Sequence, residues 1–281
     1  MWLGYALATV ALTCTLGLLF RIVALDSKNP RTFSFLFNAI ILLITALLIP
    51  FFGVGTISLD ARIVILMILS GAGYGIFQRY QFSIRQHIEA SVMQLIVTPT
   101  SIVGFALAVL FLGETITPLR ILGYSLIIAS AMLVIKRKGM KLKFSRYVVG
   151  ALIIGSALSI GLTLSRAVAP SFSSVLVYTL FIAFAQTMAC FLPIVKLKDI
   201  QIEAKIHTWK LPFLAVVNLG ALFCTIAAIR LAPATKVIPV TASNVVLMTL
   251  LGIILLKERD RVWIKLFAAA LTMVGLVLVS R

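Results

Sequence analysis

The chain has 281 residues, 62% of them hydrophobic and 12% charged, against roughly 45–50% and 25% in ordinary soluble domains. A soluble globule of this length cannot hide so much apolar surface, which excludes a water-soluble enzyme. The 25 Lys and Arg outnumber the 8 Asp and Glu, for a net charge of +17; they fall between long apolar runs and therefore read as membrane-topology signals, not as a nucleic-acid surface.

A spanning helix needs about 20 mostly apolar residues. Ten such runs are predicted, over residues 2–21, 33–53, 62–81, 91–112, 119–136, 147–166, 173–195, 210–229, 235–256 and 262–280. The first has no basic leader and is longer than a signal core, so an uncleaved span is expected. Short loops are marked by Asp26-Ser27-Lys28-Asn29-Pro30, Gly53-Val54-Gly55, Thr117-Pro118 and Ala169-Pro170-Ser171. The runs are continuous, whereas a β-barrel needs alternating segments. Fold class is thus all-α integral membrane protein.

Three local features qualify this list. Gly71-Ala72-Gly73-Tyr74-Gly75 looks like a nucleotide loop, but no strand precedes it; Gly71 and Gly75, four apart, predict close helix packing instead. Residues 196–210 carry Ile202, Ile206 and Trp209 at helical spacing among charges, predicting a short interfacial helix anchored by Trp209, with His207 as a water-exposed residue. Cys14, Cys190 and Cys224 lie inside apolar runs with no CxxC and predict buried, inert thiols.

The chain repeats itself. A slide of 144 residues places Gly17-Leu18 on Gly161-Leu162, Ala90 on Ala234 and Glu114 on Glu258; a slide of 145 places Arg21 on Arg166 and Arg85 on Arg230. Spans one to five map in order onto six to ten. Two like halves of five spans enter a membrane in opposite directions, the inverted repeat associated with alternating access about a midplane site. The expected organisation is a first repeat over 1–138, a basic cytoplasmic linker over 139–146 and a second repeat over 147–281. By side, 19 of the Lys and Arg fall on odd-numbered connections and 6 on the other face. The positive-inside rule then places both termini outside the plasma (bacterial inner) membrane.

The whole chain resembles the drug/metabolite transporter superfamily, in particular its EamA-like ten-span members. The resemblance rests on Pro99 followed by Phe111-Leu112-Gly113-Glu114, its echo Ala234-Thr235-Lys236 through Leu255-Leu256-Lys257-Glu258, the basic span ends Ile84-Arg85 and Ala227-Ala228-Ile229-Arg230, and Arg21 closing span one. It implies two EamA-like repeats and a carrier of small solutes. There are departures: Lys257 stands where the family usually has Gly, Cys14-Thr15 replaces a Trp-Gly pair, and members usually keep their termini in the cytoplasm.

Polar side chains at mid-membrane depth line cavities or pair across helices. Tyr74 and Asn218 are 144 apart, as are Thr100 and Asn244. These four are the candidate substrate-binding residues, with Asn38, Gln94, Thr98, Tyr178 and Gln186 as further hydrogen-bonding groups; the alternative for each is interhelical packing. No Asp, Glu, Lys or Arg lies mid-span, which favours a neutral or zwitterionic solute, such as a metabolite, amino acid or drug-like compound. Arg21, Arg85 and Glu258 on one face, and Arg166, Arg230 and Glu114 on the other, are candidate gating residues pairing across the halves. The alternative is that each snorkels to water or caps a helix. No catalytic set, metal site, cofactor or nucleic-acid partner is expected; the partners are the solute and membrane lipid. The competing functions are a lipid flippase of the same fold and, more remotely, a lipid-modifying membrane enzyme built around Glu89 and His87.

Overall fold

The computed structural model describes residues 2–58, 60–112, 116–135, 145–231, 240, 243–258 and 260–280. These form helices α1 (Trp2–Asp26), α2 (Pro30–Phe52), α3 (Ala61–Arg85), α4 (Ala90–Val97), α5 (Ser101–Leu112), α6 (Pro118–Ile135), α7 (Arg146–Val168), α8 (Val175–Phe191), α9 (Leu197–Ile206), α10 (Lys210–Leu231), α11 (Asn244–Leu255) and α12 (Val262–Val279). No strand occurs among the described residues, and the chain is an all-α membrane protein.

Among the described residues, seven helices are long and apolar enough to cross a membrane, α4 and α5 acting as one; the bent pair Leu197–Ile206 and Lys210–Thr225, meeting at 81°, would make an eighth. Nine of the ten expected runs fall mainly on helices and the tenth, 235–256, lies partly outside the described residues, with α11 in its described part; α8 and α11 are shorter than a crossing. Helix α8 ends at the Leu192–Pro193 bond, and most residues just before α11 lie outside the described ones.

Local chemistry explains the breaks. Asn29 caps α2 by accepting the Thr32 N–H at 3.2 Å, with Pro30 in the first turn, and Asp60 caps α3 by accepting the Ile63 N–H at 2.7 Å. Both satisfy amides that a helix start leaves open. The expected single span over 91–112 is interrupted by a 3₁₀ turn at Thr98–Thr100. Pro99 has no N–H to donate, and the Thr98, Thr100 and Ser101 hydroxyls bond the carbonyls of Gln94, Val97 and Thr98 at 2.6–2.8 Å.

Helix packing is mostly between the halves: α1 on α10, α3 on α7, α2 on α8, α4 on α11 and α6 on α12. At the α3–α7 crossing, a Cβ on Gly73 would lie 2.5 Å from the Ala157 carbonyl and 2.9 Å from the Gly161 nitrogen, while Gly71 and Gly75 face Ala185 and Ala189 on α8. Small residues let the backbones approach, since lipid provides no hydrophobic drive for helix association. A cluster of Phe20, Phe33, Phe37 and Phe82 fills the space among α1, α2 and α3, with edge contacts at centroid distances of 4.7–5.4 Å. Outside, Phe51, Leu110, Ile254, Trp263 and Phe267 are exposed, an apolar surface suited to lipid rather than water.

The connections pair in a pattern. Helix α9 docks on the α1–α2 loop: the Glu203 carboxylate accepts the N–H groups of Lys28 and Asn29 at 2.8 and 2.7 Å and the Ser27 hydroxyl at 3.0 Å. His207, expected to be wet, is instead fully buried, 3.4 Å from Glu203 and edge-on to Phe33. The one-turn spacing to Glu203 and the turn into α10 fold it under the helix; Trp209 stays exposed. Arg31 donates to the carbonyls of Cys190 and Phe191 at 2.9 and 3.0 Å, and Arg79 to that of Ala189 at 2.5 Å. First-half arginines thus occupy the negative C-terminal end of second-half α8. Arg261 likewise donates to Leu133 and Val134 at the end of α6. On the other side, the α2–α3 and α7–α8 loops pair through Ser58 N–H to Ser171 O and Ser173 N–H to Thr56 O, both 3.0 Å.

Candidate functional site

A cavity of about 210 Å³ lies between the halves, lined by Thr13, Cys14, Leu16, Gly17 and Phe20 of α1, Arg85 of α3, Ala90 and Gln94 of α4, Asn218 of α10, and Asn244 and Met248 of α11. Helical periodicity accounts for the lining. Residues 13, 17 and 20 share one face of α1, and the four-residue steps Ala90 to Gln94 and Asn244 to Met248 place each pair one turn apart. The Cys14 thiol sits 3.7 Å from the Asn244 carbonyl. The side-chain amides of Gln94, Asn218 and Asn244 make no hydrogen bond to protein among the described residues, so their donors and acceptors are available to the cavity. Three half-buried amides with open donors and acceptors around one space make a site for water or solute.

The structure thus brings Gln94, Asn218 and Asn244 together, and separates them from the other candidates. Tyr74 and Tyr178 meet at Ser165, at 3.2 and 2.6 Å, with Ser70 joining Ser165 at 3.0 Å; this network ties α3, α7 and α8. Asn38 bonds Gln78 at 3.1 Å and the Ser34 carbonyl at 2.7 Å. Thr98 and Thr100 spend their hydroxyls on the 3₁₀ break. Gln186 is half-buried on α8, away from the lining. The depth of a residue along the chain was readable in the sequence; its direction around the helix was not. That is why the 144-residue pairing linked Tyr74 to Asn218 and Thr100 to Asn244 while only one member of each pair reaches the cavity.

The candidate gating residues at the α3–α4 end are close together without forming the expected arginine–glutamate pairs. Arg21 donates to the backbone carbonyl of Arg85. Glu258 instead reaches across the halves to the first turn of α4, accepting the Ala90 N–H at 2.7 Å, the Ser91 N–H at 3.2 Å and the Ser91 hydroxyl. An anion there satisfies open amides and the positive end of the helix. Lys265, buried on α12, binds Glu89 at 2.5 Å and the Glu258 carbonyl at 3.0 Å. Sequence reasoning missed Lys265, because its place near a span start made it look like an exposed flank. Glu89 therefore faces Lys265, while His87 stacks on Tyr147 at 3.8 Å; the two do not form a joint site. Glu114 lies outside the described residues, as do the side chains of Arg166 and Arg230.

Comparison with known proteins bears on the whole chain and on its second half. The fold matches that of a solved crystal structure over 99% of this chain and 95% of the other, with a TM-score of 0.59 and 17% identity; at that identity the likeness establishes the fold alone. No curated protein matches the sequence. Residues 145–281 match the EamA-like transporter family. Members of that family are membrane transporters of small solutes, and the second half of the chain is similar to them.

Proposed function

We propose that the protein is a carrier of the plasma membrane, built from two inverted five-helix repeats, that moves a small organic solute by alternating access, with Gln94, Asn218 and Asn244 at its binding site. The observation that carries this reading is the cavity between the halves, with three amides that no group among the described residues satisfies. Its volume of about 210 Å³ lies below the roughly 300–1,000 Å³ typical of drug-sized ligand sites, which favours a small metabolite over a drug or a flipped lipid.

Two features support the inverted pair. Most of the main helix contacts are closed under exchange of the halves: the slide that takes α1 to α7 and α3 to α10 turns the α1–α10 contact into α7–α3, and returns α2–α8 and α6–α12 to themselves. The loop contacts also respect sidedness. On one side the α1–α2 loop meets α9, and the start of α4 meets Glu258; on the other the α2–α3 loop meets the α7–α8 loop. Each contact joins connections that ten alternating crossings put on one face. The basic excess assigns the α9 face to the cytoplasm and the termini to the outside.

Solute counterflow in liposomes tests the function. Purified protein is expected to exchange a preloaded solute, and Asn218→Ala or Asn244→Ala to lower the rate with the folded yield unchanged. Exchange that both variants leave intact would remove the cavity from the account.

A further inference from the structure

The charges at the cytoplasmic end of the cavity do not balance. Two acids lie there and both are committed. Glu258 is held by the Ala90 and Ser91 donors, and Glu89 by Lys265. Two cations remain, Arg21 and Arg85. Arg21 has an acceptor, the Arg85 carbonyl. The Arg85 guanidinium has none among the described residues: it lines the cavity, its Nε is buried without a hydrogen-bond partner, and its only close contact of this kind is the ring face of Phe20, 5.7 Å away. A guanidinium lying over an aromatic face keeps its in-plane N–H donors free, in the fork that matches a carboxylate. No Asp or Glu is among the cavity-lining residues.

We propose that the transported solute carries a carboxylate, which docks on Arg85 at the cytoplasmic end of the cavity while its remaining polar groups bond the amides of Gln94, Asn218 and Asn244. This rests on the reading of the cavity as the transport site and shifts the solute class from neutral or zwitterionic to zwitterionic or anionic. A buried cation without a counter-charge is costly, so an incoming carboxylate gains on entering what an uncharged analogue does not. The Arg85 donors cannot be replaced by the amides alone, because amides bring hydrogen bonds without charge. The Glu258 charge lies near Arg21, which leaves Arg85 as the cation with no acid beside it among the described residues, so the same balance disfavours an organic cation.

The test is a thermal-shift and counterflow comparison on the purified full chain, with matched probes: alanine against alaninamide, propionate against propionamide, and inorganic phosphate as a separate arm. The carboxylate member of a pair is expected to raise the unfolding temperature and its amide not to. Arg85→Gln should weaken that binding by about 10- to 100-fold, the loss of a charged hydrogen bond, and Arg85→Lys by less. Carboxylate and amide binding equally, or carboxylate binding untouched in Arg85→Gln, overturns the proposal; so does a response to phosphate with none to carboxylates. If Asn218→Ala still abolishes binding of a neutral probe, the cavity stands as the site and only the carboxylate falls. If neither Arg85→Gln nor Asn218→Ala alters any binding, the cavity reading falls as well. Should Arg85→Gln fold poorly, Arg85→Lys carries the comparison through its carboxylate-to-amide ratio.

Discussion

Glu258 belongs to the second half of the chain, yet its carboxylate holds the Ala90 N–H at 2.7 Å and so completes the first turn of a helix in the first half. The contact sits beside the cavity, since Ala90 is one of the residues that line it. A carrier that closes one face at a time needs a bond between halves that can be broken at modest cost, and a carboxylate on open helix amides meets that need. Glu258→Gln keeps the shape and loses the charge; it is expected to lower stability by about 1–2 kcal/mol and to alter transport rate. Glu258→Lys puts a cation at the positive helix end, beside Lys265, and is expected to abolish transport and to destabilise more than Glu258→Gln. Counterflow and size-exclusion profiles on the two variants check this; normal flux in Glu258→Lys would remove the contact from gating.

A second acid, Glu203, is buried where α9 docks on the α1–α2 loop. Burial pushes the Glu203 carboxyl up, but the nearby His207 and donation from Asn29 and Ser27 outweigh it and hold the group below the ordinary carboxylate range. The folded protein therefore binds this proton less readily than the unfolded chain. The stabilisation is complete above the unfolded value of about 4.3 and is lost as pH falls through the lower folded value. Glu203→Gln is expected to cost about 1.5–3 kcal/mol at pH 7 and to flatten the loss of stability on acidification. Thermal unfolding of both proteins from pH 3 to 7 checks this; parallel curves would contradict the docking role of Glu203.

The α3–α7 crossing offers a packing test with an internal control. A Cβ on Gly73 meets backbone atoms of α7, whereas one on Gly4 meets nothing within 4 Å. Gly73→Ala is expected to destabilise by about 1–3 kcal/mol, and Gly4→Ala to be neutral or mildly stabilising. Thermal unfolding of both variants in one detergent reads the contrast, and equal effects would contradict the close crossing.

Lys257 explains its own departure from the family resemblance. Its backbone is left-handed, at φ +55°, a conformation that costs a residue with a Cβ roughly 1–2 kcal/mol and costs glycine nothing. Lys257→Gly is therefore expected to hold or raise the unfolding temperature, with the gain trimmed by the greater freedom of the unfolded chain. A clear drop would mean that the lysine side chain contributes more than its backbone costs.

Much of this architecture is legible in the residues, and the limits are physical. Composition and run length identify a membrane protein, and Asn29-Pro30, Pro118 and Ala169-Pro170-Ser171 mark breaks because a missing N–H or a capping side chain acts locally. The Gly71/Gly75 spacing reads as packing for the same reason. His207 misleads because a polar residue in a charged loop is ordinarily wet, and only the fold back of α9 onto the α1–α2 loop buries it. Arg85 reads as a snorkelling end residue; that its guanidinium faces a cavity depends on α3 running to its last turn and on Glu258 and Glu89 having found other partners. These are choices among long-range contacts, which local pattern does not contain.

The central claim is that the two halves sit in the membrane with opposite orientation. Cysteines at Gly113→Cys and Lys257→Cys, 144 residues apart and introduced one at a time after replacing Cys14, Cys190 and Cys224, report it through labelling by a membrane-impermeant maleimide in sealed, oriented vesicles. The account expects Gly113→Cys to react only from outside and Lys257→Cys only from the cytoplasmic side. Reaction of both from the same side would contradict it.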